Sequence, residues 1–215
     1  IALSGFGNVT WGVALKITEL GGKVVTISGP DGYIYDEKGL DADKINYLLY
    51  LRASNNDIVS PYAEEFPESK FYPNEKPWSV KCDIAMPCAT QNELNGDDAL
   101  KLVANGVQYI AEVSNMGCTA EAVHVFHNAK ILYGPGKAVN AGGVATSGLE
   151  MTQNSMKMSW TKDEVDEKLL QIMHSIHTAC LKYGTEEDGY INYAKGANIA
   201  GFIKVADSML DLGVI

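Results

Sequence analysis

The chain opens on an apolar run, Ile1-Ala2-Leu3-Ser4, then a turn, Gly5-Phe6-Gly7, and then apolar positions three and four apart as far as Leu20. The first run predicts a short buried strand, and the 3.6-residue spacing predicts a helix over residues 9–20 that Gly21-Gly22 stops. Lys23-Val24-Val25-Thr26-Ile27-Ser28 is a β-branched run and predicts a second strand. Strand, helix and strand in this order require a right-handed crossover and start a parallel sheet. Two turn signals follow, Gly29-Pro30-Asp31-Gly32 and residues 36–39, and Asp41 then caps a helix running to about residue 53.

Residues 54–77 are rich in Pro, Asn and Glu and predict an irregular stretch with short pieces of structure. Beyond it, strands at 83–86, 107–113 and 131–133 alternate with helices at 97–105 and 119–128. Such alternation predicts an α/β fold, a doubly wound Rossmann-like sheet. After about residue 142 only helical spacing remains, so the extension is all-helical. Its clearest helix covers 161–183: Thr161 and Glu164 form a capping box, and Val165, Leu169, Ile172, Ile176 and Cys180 share one face. A last helix covers 192–212. The expected division is a dinucleotide-binding domain over 1–145 and a helical segment over 146–215.

Composition narrows the function classes. At 215 residues with 46% hydrophobic and 20% charged residues, the chain predicts a packed globule. A net charge of −10, with Arg52 the sole arginine, argues against nucleic acid and anionic lipid as partners. No apolar run approaches the roughly 18 residues of a membrane-spanning helix, and no basic-then-apolar leader opens the chain. The expectation is a soluble, unexported, cytoplasmic protein. Cys82, Cys88, Cys118 and Cys180 lack C-x-x-C spacing and predict reduced, buried thiols. The start at Ile1, inside a strand-like run, reads as a cut within a strand.

Gly5-Phe6-Gly7-Asn8-Val9-Thr10 occupies the G-x-G-x-x-(G/A) slot of a dinucleotide fold, between a strand and a helix as the chemistry requires. The first glycine makes the turn, the second lets backbone approach a pyrophosphate, and the helix N-terminus presents N–H groups to it. Thr10 is bulkier than the small residue that close helix–strand packing prefers. At the end of the second strand, Ser28-Gly29-Pro30-Asp31 places an acid near where NAD's ribose 2′-hydroxyl is held, and Arg52 lies far along the chain. Asp31 therefore tilts the choice between NAD and NADP toward NAD, unless it merely holds the Pro-Gly turn.

Three other patterns are weighed against simpler roles. Tyr133-x-x-x-Lys137 and Tyr72-x-x-x-Lys76 have the spacing of a catalytic pair, but Pro135 and Pro73 argue against the single helix such a pair needs. His124/His127 and His174/His177 lack supporting carboxylates, so surface or core histidines are expected and no metal. Residues 137–148, rich in small, amide and hydroxyl side chains, read as a loop beyond the last strand. It either faces the cofactor's reactive end or is a close-packed turn.

Taken together, Gly5-Phe6-Gly7-Asn8-Val9, Ser28-Gly29-Pro30-Asp31-Gly32-Tyr33, Met86-Pro87-Cys88-Ala89-Thr90-Gln91-Asn92, Glu112-Val113-Ser114-Asn115-Met116 and residues 137–155 occur in the order found in one family. The chain resembles the cofactor domain of hexameric glutamate dehydrogenase, apart from Thr10 in the third slot and Gly117-Cys118 where that family often has a proline. The resemblance implies reversible oxidative deamination of L-glutamate to 2-oxoglutarate and ammonia, with NAD or NADP as hydride carrier, in a homohexamer. It implies that Phe6 to Val9 line the pyrophosphate, Ala89, Thr90 and Gln91 the adenosine side, and Asn115 and Asn140 the nicotinamide end. Val144 and Ser147 would touch the substrate, the Ser147 hydroxyl donating to its γ-carboxylate. The family's acid–base residues lie in a preceding substrate domain, so no catalytic group is expected in this segment, which alone should be inactive. The last helix would pack toward that domain. Two rivals remain: a branched-chain or aromatic amino-acid dehydrogenase, and a noncatalytic dinucleotide-sensing module.

Overall fold

The computed structural model describes residues 1–54 and 57–213, in two compact units, 1–131 and 132–215. The division falls before the expected one at residue 145.

In the first unit, β1 (Ala2–Leu3) leads through α1 (Asn8–Glu19) to β2 (Thr26–Gly29). β3 (Gly32–Tyr35) and α2 (Ala42–Ala53) follow, then α3 (Pro61–Glu65) and β4 (Lys70–Pro73). After a 3-10 turn at Pro77–Ser79 come β5 (Ile84–Met86), α4 (Gly96–Ala104), β6 (Tyr109–Ala111) and α5 (Ala120–Asn128). Of the seven strands among the described residues, the six of this unit run β4-β3-β2-β1-β5-β6. β1 pairs in parallel with β2 (Ala2 opposite Thr26) and with β5 (Ala2 opposite Ala85), and β5 with β6. Ala2, Leu3, Ile27 and Ala85 are fully buried, which is why the central strands read as continuous apolar runs.

The doubly wound sheet carries an antiparallel edge. Pro30-Asp31 is a two-residue hairpin loop: β2 turns into an antiparallel β3, with Gly29 opposite Gly32, and β3 pairs antiparallel with β4. Tyr33 stacks on Tyr72 across that pair at 4.8 Å. Part of the stretch expected to be irregular thus supplies an edge strand and a short helix; its residues 55 and 56 lie outside the described residues. The Asp41 cap appears as anticipated, and α4 has one beyond those expected. Asp41 caps α2 by accepting from Lys44 N–H at 2.9 Å, and Asn95 with Asp98 forms a capping box on α4. Asp36, Lys44 and Tyr62 form a buried polar knot beneath α2: Lys44 Nζ lies 2.6 Å and the Tyr62 hydroxyl 2.8 Å from the Asp36 carboxylate.

The second unit holds β7 (Leu132–Gly134), α6 (Gly136–Val139), α7 (Ala141–Met156), α8 (Lys162–Gly184) and α9 (Tyr193–Leu212). Residues 137–148 are helical rather than a loop. A Cβ at Gly142 would meet Leu169 and Met173 on α8 only at ordinary van der Waals distance, 3.9 Å, and one at Gly143 or Gly148 would meet nothing within 4 Å, so packing does not require these helical glycines. Thr161 and Glu164 make the anticipated capping box on α8. At Gly196 a Cβ would overlap the Cys180 backbone, so α8 and α9 meet closely there. Among the described residues, no helix is long and apolar enough to cross a membrane. All four cysteines are free thiols and buried, as anticipated.

Candidate functional site

Strand order reverses about β1, with β2 on one side and β5 on the other, and a ligand crevice forms beyond the carboxyl ends of strands at such a point. Here it is an open cavity of about 590 Å3 lined by the Gly5–Val9 turn, by Ser28, Gly29, Pro30, Arg52 and Asp57 on the β2 side, and by Cys88, Ala89 and Thr90 on the β5 side. Small-molecule sites span on the order of 300–1,000 Å3.

The turn is built as the fingerprint requires. Gly5 has φ +89°, and a Cβ there would lie 2.6 Å from Thr10 Oγ1 and 3.1 Å from the Ala89 backbone. Gly5 N–H donates to Ser28 Oγ at 2.8 Å, so the end of β2 holds the turn. Gly7 is the N-cap of α1 without a side-chain cap bond, and a Cβ there would meet nothing within 4 Å. The first N–H groups of α1 are thus left for a ligand, with room for it above Gly7. Thr10 does not loosen the packing as its size suggested: fully buried, its hydroxyl donates to the Ser4 carbonyl at 3.2 Å and ties α1 to β1. Phe6 packs edge-on against Trp11, whose indole N–H donates back to the Phe6 carbonyl at 3.2 Å.

The adenosine end holds residues that spacing did not bring together. Asp31 does not line the cavity. Its carboxylate accepts from Val59 N–H at 3.0 and 3.2 Å and from Ser60 N–H at 3.0 Å, so it holds the start of α3's segment rather than its own Pro-Gly turn. That anchor brings the following loop over the end of β2. There Asp57 pairs with Arg52 at 2.5 Å, and the Arg52 guanidinium lies 6.0 Å from the Phe6 ring centre. Arg52, distant in the chain, is therefore a cavity residue, because α2 returns its C-terminal end to β2.

On the other side, Ala89 and Thr90 line the cavity, whereas Gln91 turns its amide toward the Met116 sulfur at 3.5 Å. Loop 88–94 is joined to the loop after β6 by Asn92 N–H to the Met116 carbonyl at 2.7 Å and Leu94 N–H to the Gly117 carbonyl at 3.0 Å. Asn115 is exposed at the tip of that second loop. The Gly117-Cys118 departure is accommodated: a Cβ on residue 117 would lie 2.6 Å from Ser114 Oγ, and Cys118 N–H donates to the buried Glu112 carboxylate at 2.7 Å.

In the second unit, Asn140 joins α6 to α7, and Val144 and Ser147 sit one turn apart on α7, both exposed. Tyr133 lies on β7 and Lys137 on α6, so that pair shares no helix; Tyr72 on β4 and Lys76 before the 3-10 turn share none either. His177 Nδ1 lies 3.4 Å from the Tyr193 hydroxyl.

Sequence comparisons place this geometry among known proteins. The chain matches the model of the Glutamate/Leucine/Phenylalanine/Valine dehydrogenase family over residues 1–213. It is 66% identical over its whole length to an NAD-specific glutamate dehydrogenase of Bacteroides fragilis, of which it covers 48%, and 47% identical to an NADP-specific glutamate dehydrogenase of Giardia intestinalis, of which it covers 49%. A solved glutamate dehydrogenase superposes with TM-score 0.94 at 51% identity over 99% of this chain and 48% of its own. That of Plasmodium falciparum does so with TM-score 0.94 at 40% identity, over 100% of this chain and 46% of its own. The chain thus spans about half the length of the relatives it matches. With a strand–turn–helix fingerprint at the switch point of an α/β sheet and a family match over nearly every residue, the chain belongs to the glutamate/leucine/phenylalanine/valine dehydrogenase family.

Proposed function

We propose that this chain is the cofactor-binding half of an NAD(P)-dependent glutamate dehydrogenase. The observation that carries the reading is the uncapped α1 N-terminus behind the open face of Gly7, a cradle that fits a pyrophosphate and needs few positive side chains on a chain of net charge −10. Phe6, Gly7, Asn8 and Val9 hold the pyrophosphate through backbone N–H groups, with Gly5 shaping the turn and Ser28 bracing it. Ala89 and Thr90 wall the cavity from β5, with Gln91 beside them, and Asn115 takes the nicotinamide end. When bound, the nicotinamide ring supplies the hydride acceptor. What this chain supplies is binding, orientation and exclusion of water around the ring.

NAD is preferred over NADP. Arg52 already has the Asp57 carboxylate as its partner, so a 2′-phosphate arriving at this end meets a neutralised cation and a negative charge. Asp57 thereby takes the discriminating place expected of Asp31, which acts at one remove by anchoring the segment that carries it. The relatives named NAD-specific, at 66% and 60% identity, are nearer to this chain than the NADP-specific ones at 47% and 49%.

Glutamate is the substrate, and the role of Ser147 supports it: an exposed hydroxyl one turn from Val144 suits a γ-carboxylate, for which a charge-assisted bond is available, better than an apolar side chain. The acid–base steps belong to the part of the protein outside this chain, so the isolated segment is inactive. A cytoplasmic homohexamer completes the reading. The test is turnover of L-glutamate against L-leucine by the full-length protein, with Ser147→Ala alongside. Glutamate is expected to be the better substrate, and the variant to raise KM for glutamate far more than for norvaline; equal effects would remove Ser147 from the site.

A further inference from the structure

Glu93 lies outside the residues assigned above and does not line the cavity, yet its carboxylate holds the backbone of the β5 wall at Ala89. Its Oε1 accepts from Ala89 N–H at 2.9 Å, and Thr90 N–H lies close enough to favour its ionised form. Ser4 Oγ accepts from Cys88 N–H at 3.0 Å, and the Ser4 hydroxyl lies close enough to the Glu93 carboxylate to favour its ionised form. Of the wall's N–H groups, Ala89 N–H ends on Glu93 and Cys88 N–H on Ser4. Ser4 immediately precedes Gly5. Ser4 thus joins the loop after β1 to the loop after β5 across the cavity, and the Glu93 carboxylate sits beside that junction and holds Ala89. From behind, Lys76 Nζ clamps the Glu93 carbonyl at 2.6 Å.

We propose that Glu93 is a positioning residue for the dinucleotide: its ionised carboxylate preforms the Cys88–Thr90 wall against the Gly5–Val9 turn, so that binding does not have to order it. The proposal rests on the cofactor reading given above. Burial pushes the Glu93 carboxyl above the usual carboxylate range, while the accepted bonds and Lys76 pull it back. The other groups facing it are the Cys88 and Cys118 thiols, which burial raises and keeps neutral near pH 7. Protonation replaces an acceptor site on Glu93 with an O–H donor, which leaves one of the wall's N–H groups without its partner. The wall loosens as pH falls through the raised pKa.

The experiment measures NADH binding by fluorescence to the full-length protein and to its Glu93→Ala and Glu93→Gln variants, from about pH 8 to about pH 5, beside kcat, KM and Tm. Glu93→Ala is expected to weaken NADH about tenfold, ~1.4 kcal/mol, with kcat for the saturated enzyme changed less than about twofold. Glu93→Gln, like the protonated carboxyl, has one acceptor oxygen and a donor group, so it is expected to bind at pH 8 about as weakly as the parent does near pH 5, with an affinity that does not change on acidification. Should Glu93→Ala fail to fold, the pH profiles of the parent and Glu93→Gln decide alone. Parallel profiles, or equal affinities with only Tm reduced, overturn the role of Glu93. A parent protein that binds no NADH overturns the cofactor reading instead.

Discussion

The two fingerprint glycines make separable contributions, and replacing each by alanine in the full-length protein measures them. At Gly5, φ is +89°, and a methyl would sit 2.6 Å from Thr10 Oγ1 and 3.1 Å from the Ala89 backbone. The left-handed conformation costs a non-glycine residue about 1–2 kcal/mol. Displacing Thr10 weakens its bond to the Ser4 carbonyl, worth roughly 0.5–1.5 kcal/mol. Overpacking against backbone adds about 1–3 kcal/mol. Gly5→Ala is therefore expected to lower stability by roughly 3–5 kcal/mol, since the terms overlap, and to displace the turn from its binding geometry. Gly7 differs on each count: φ is −93°, which any residue adopts, and its Cβ would meet nothing within 4 Å. Gly7→Ala is expected to leave Tm unchanged and to weaken NADH by about 1–3 kcal/mol, roughly tenfold to a hundredfold, because the methyl stands where the pyrophosphate approaches. Urea melts and NADH fluorescence titrations on both variants give the two numbers. A Gly7→Ala protein that binds NADH like the parent would refute the placement of the pyrophosphate over this turn.

Three further outcomes are expected. Asp57→Ala frees Arg52 from its partner and should shift the NADPH-to-NADH affinity ratio severalfold toward NADPH, an effect that added salt diminishes; an unchanged ratio removes this pair from cofactor choice. Lys44→Met leaves the fully buried Asp36 carboxylate with only uncharged donors and should cost roughly 3–5 kcal/mol in urea unfolding, whereas a loss below about 1 kcal/mol would show the knot to be dispensable. Burial pushes the Cys82 thiol up to about 11 and raises Cys88 and Cys118 as well, so at pH 8 a disulfide reagent should label the native chain slowly and all four cysteines rapidly once it is unfolded.

What the sequence makes legible here is local. The strand–turn–helix around Gly5, the Asp41 cap and the Thr161–Glu164 box are written within a few neighbouring residues and appear where spacing places them. The antiparallel edge is not local: Tyr33-Ile34-Tyr35 is too short to show a period, and its partner over Lys70–Pro73 carries a proline that only an edge strand tolerates. The adenosine end escapes for a related reason. Asp31 carries the expected signal, but two backbone N–H groups at the start of the next segment draw its carboxylate away, while chain return through α2 delivers Arg52 to the same cavity. The glycines of residues 137–148 suggest a loop, but residues 141–156 form a helix in which a Cβ would meet little at these positions, so no local clash reveals them. Glu93 belongs to no motif; its part emerges only when the backbone donors of loop 88–90 are followed to their acceptors.

A crystal structure of the full-length protein with NAD bound tests the central claim most directly. The expected result is the pyrophosphate over the backbone N–H groups of Gly7, Asn8 and Val9, with the adenosine ribose directed toward Pro30 and Asp57. Dinucleotide density away from the α1 N-terminus would contradict it.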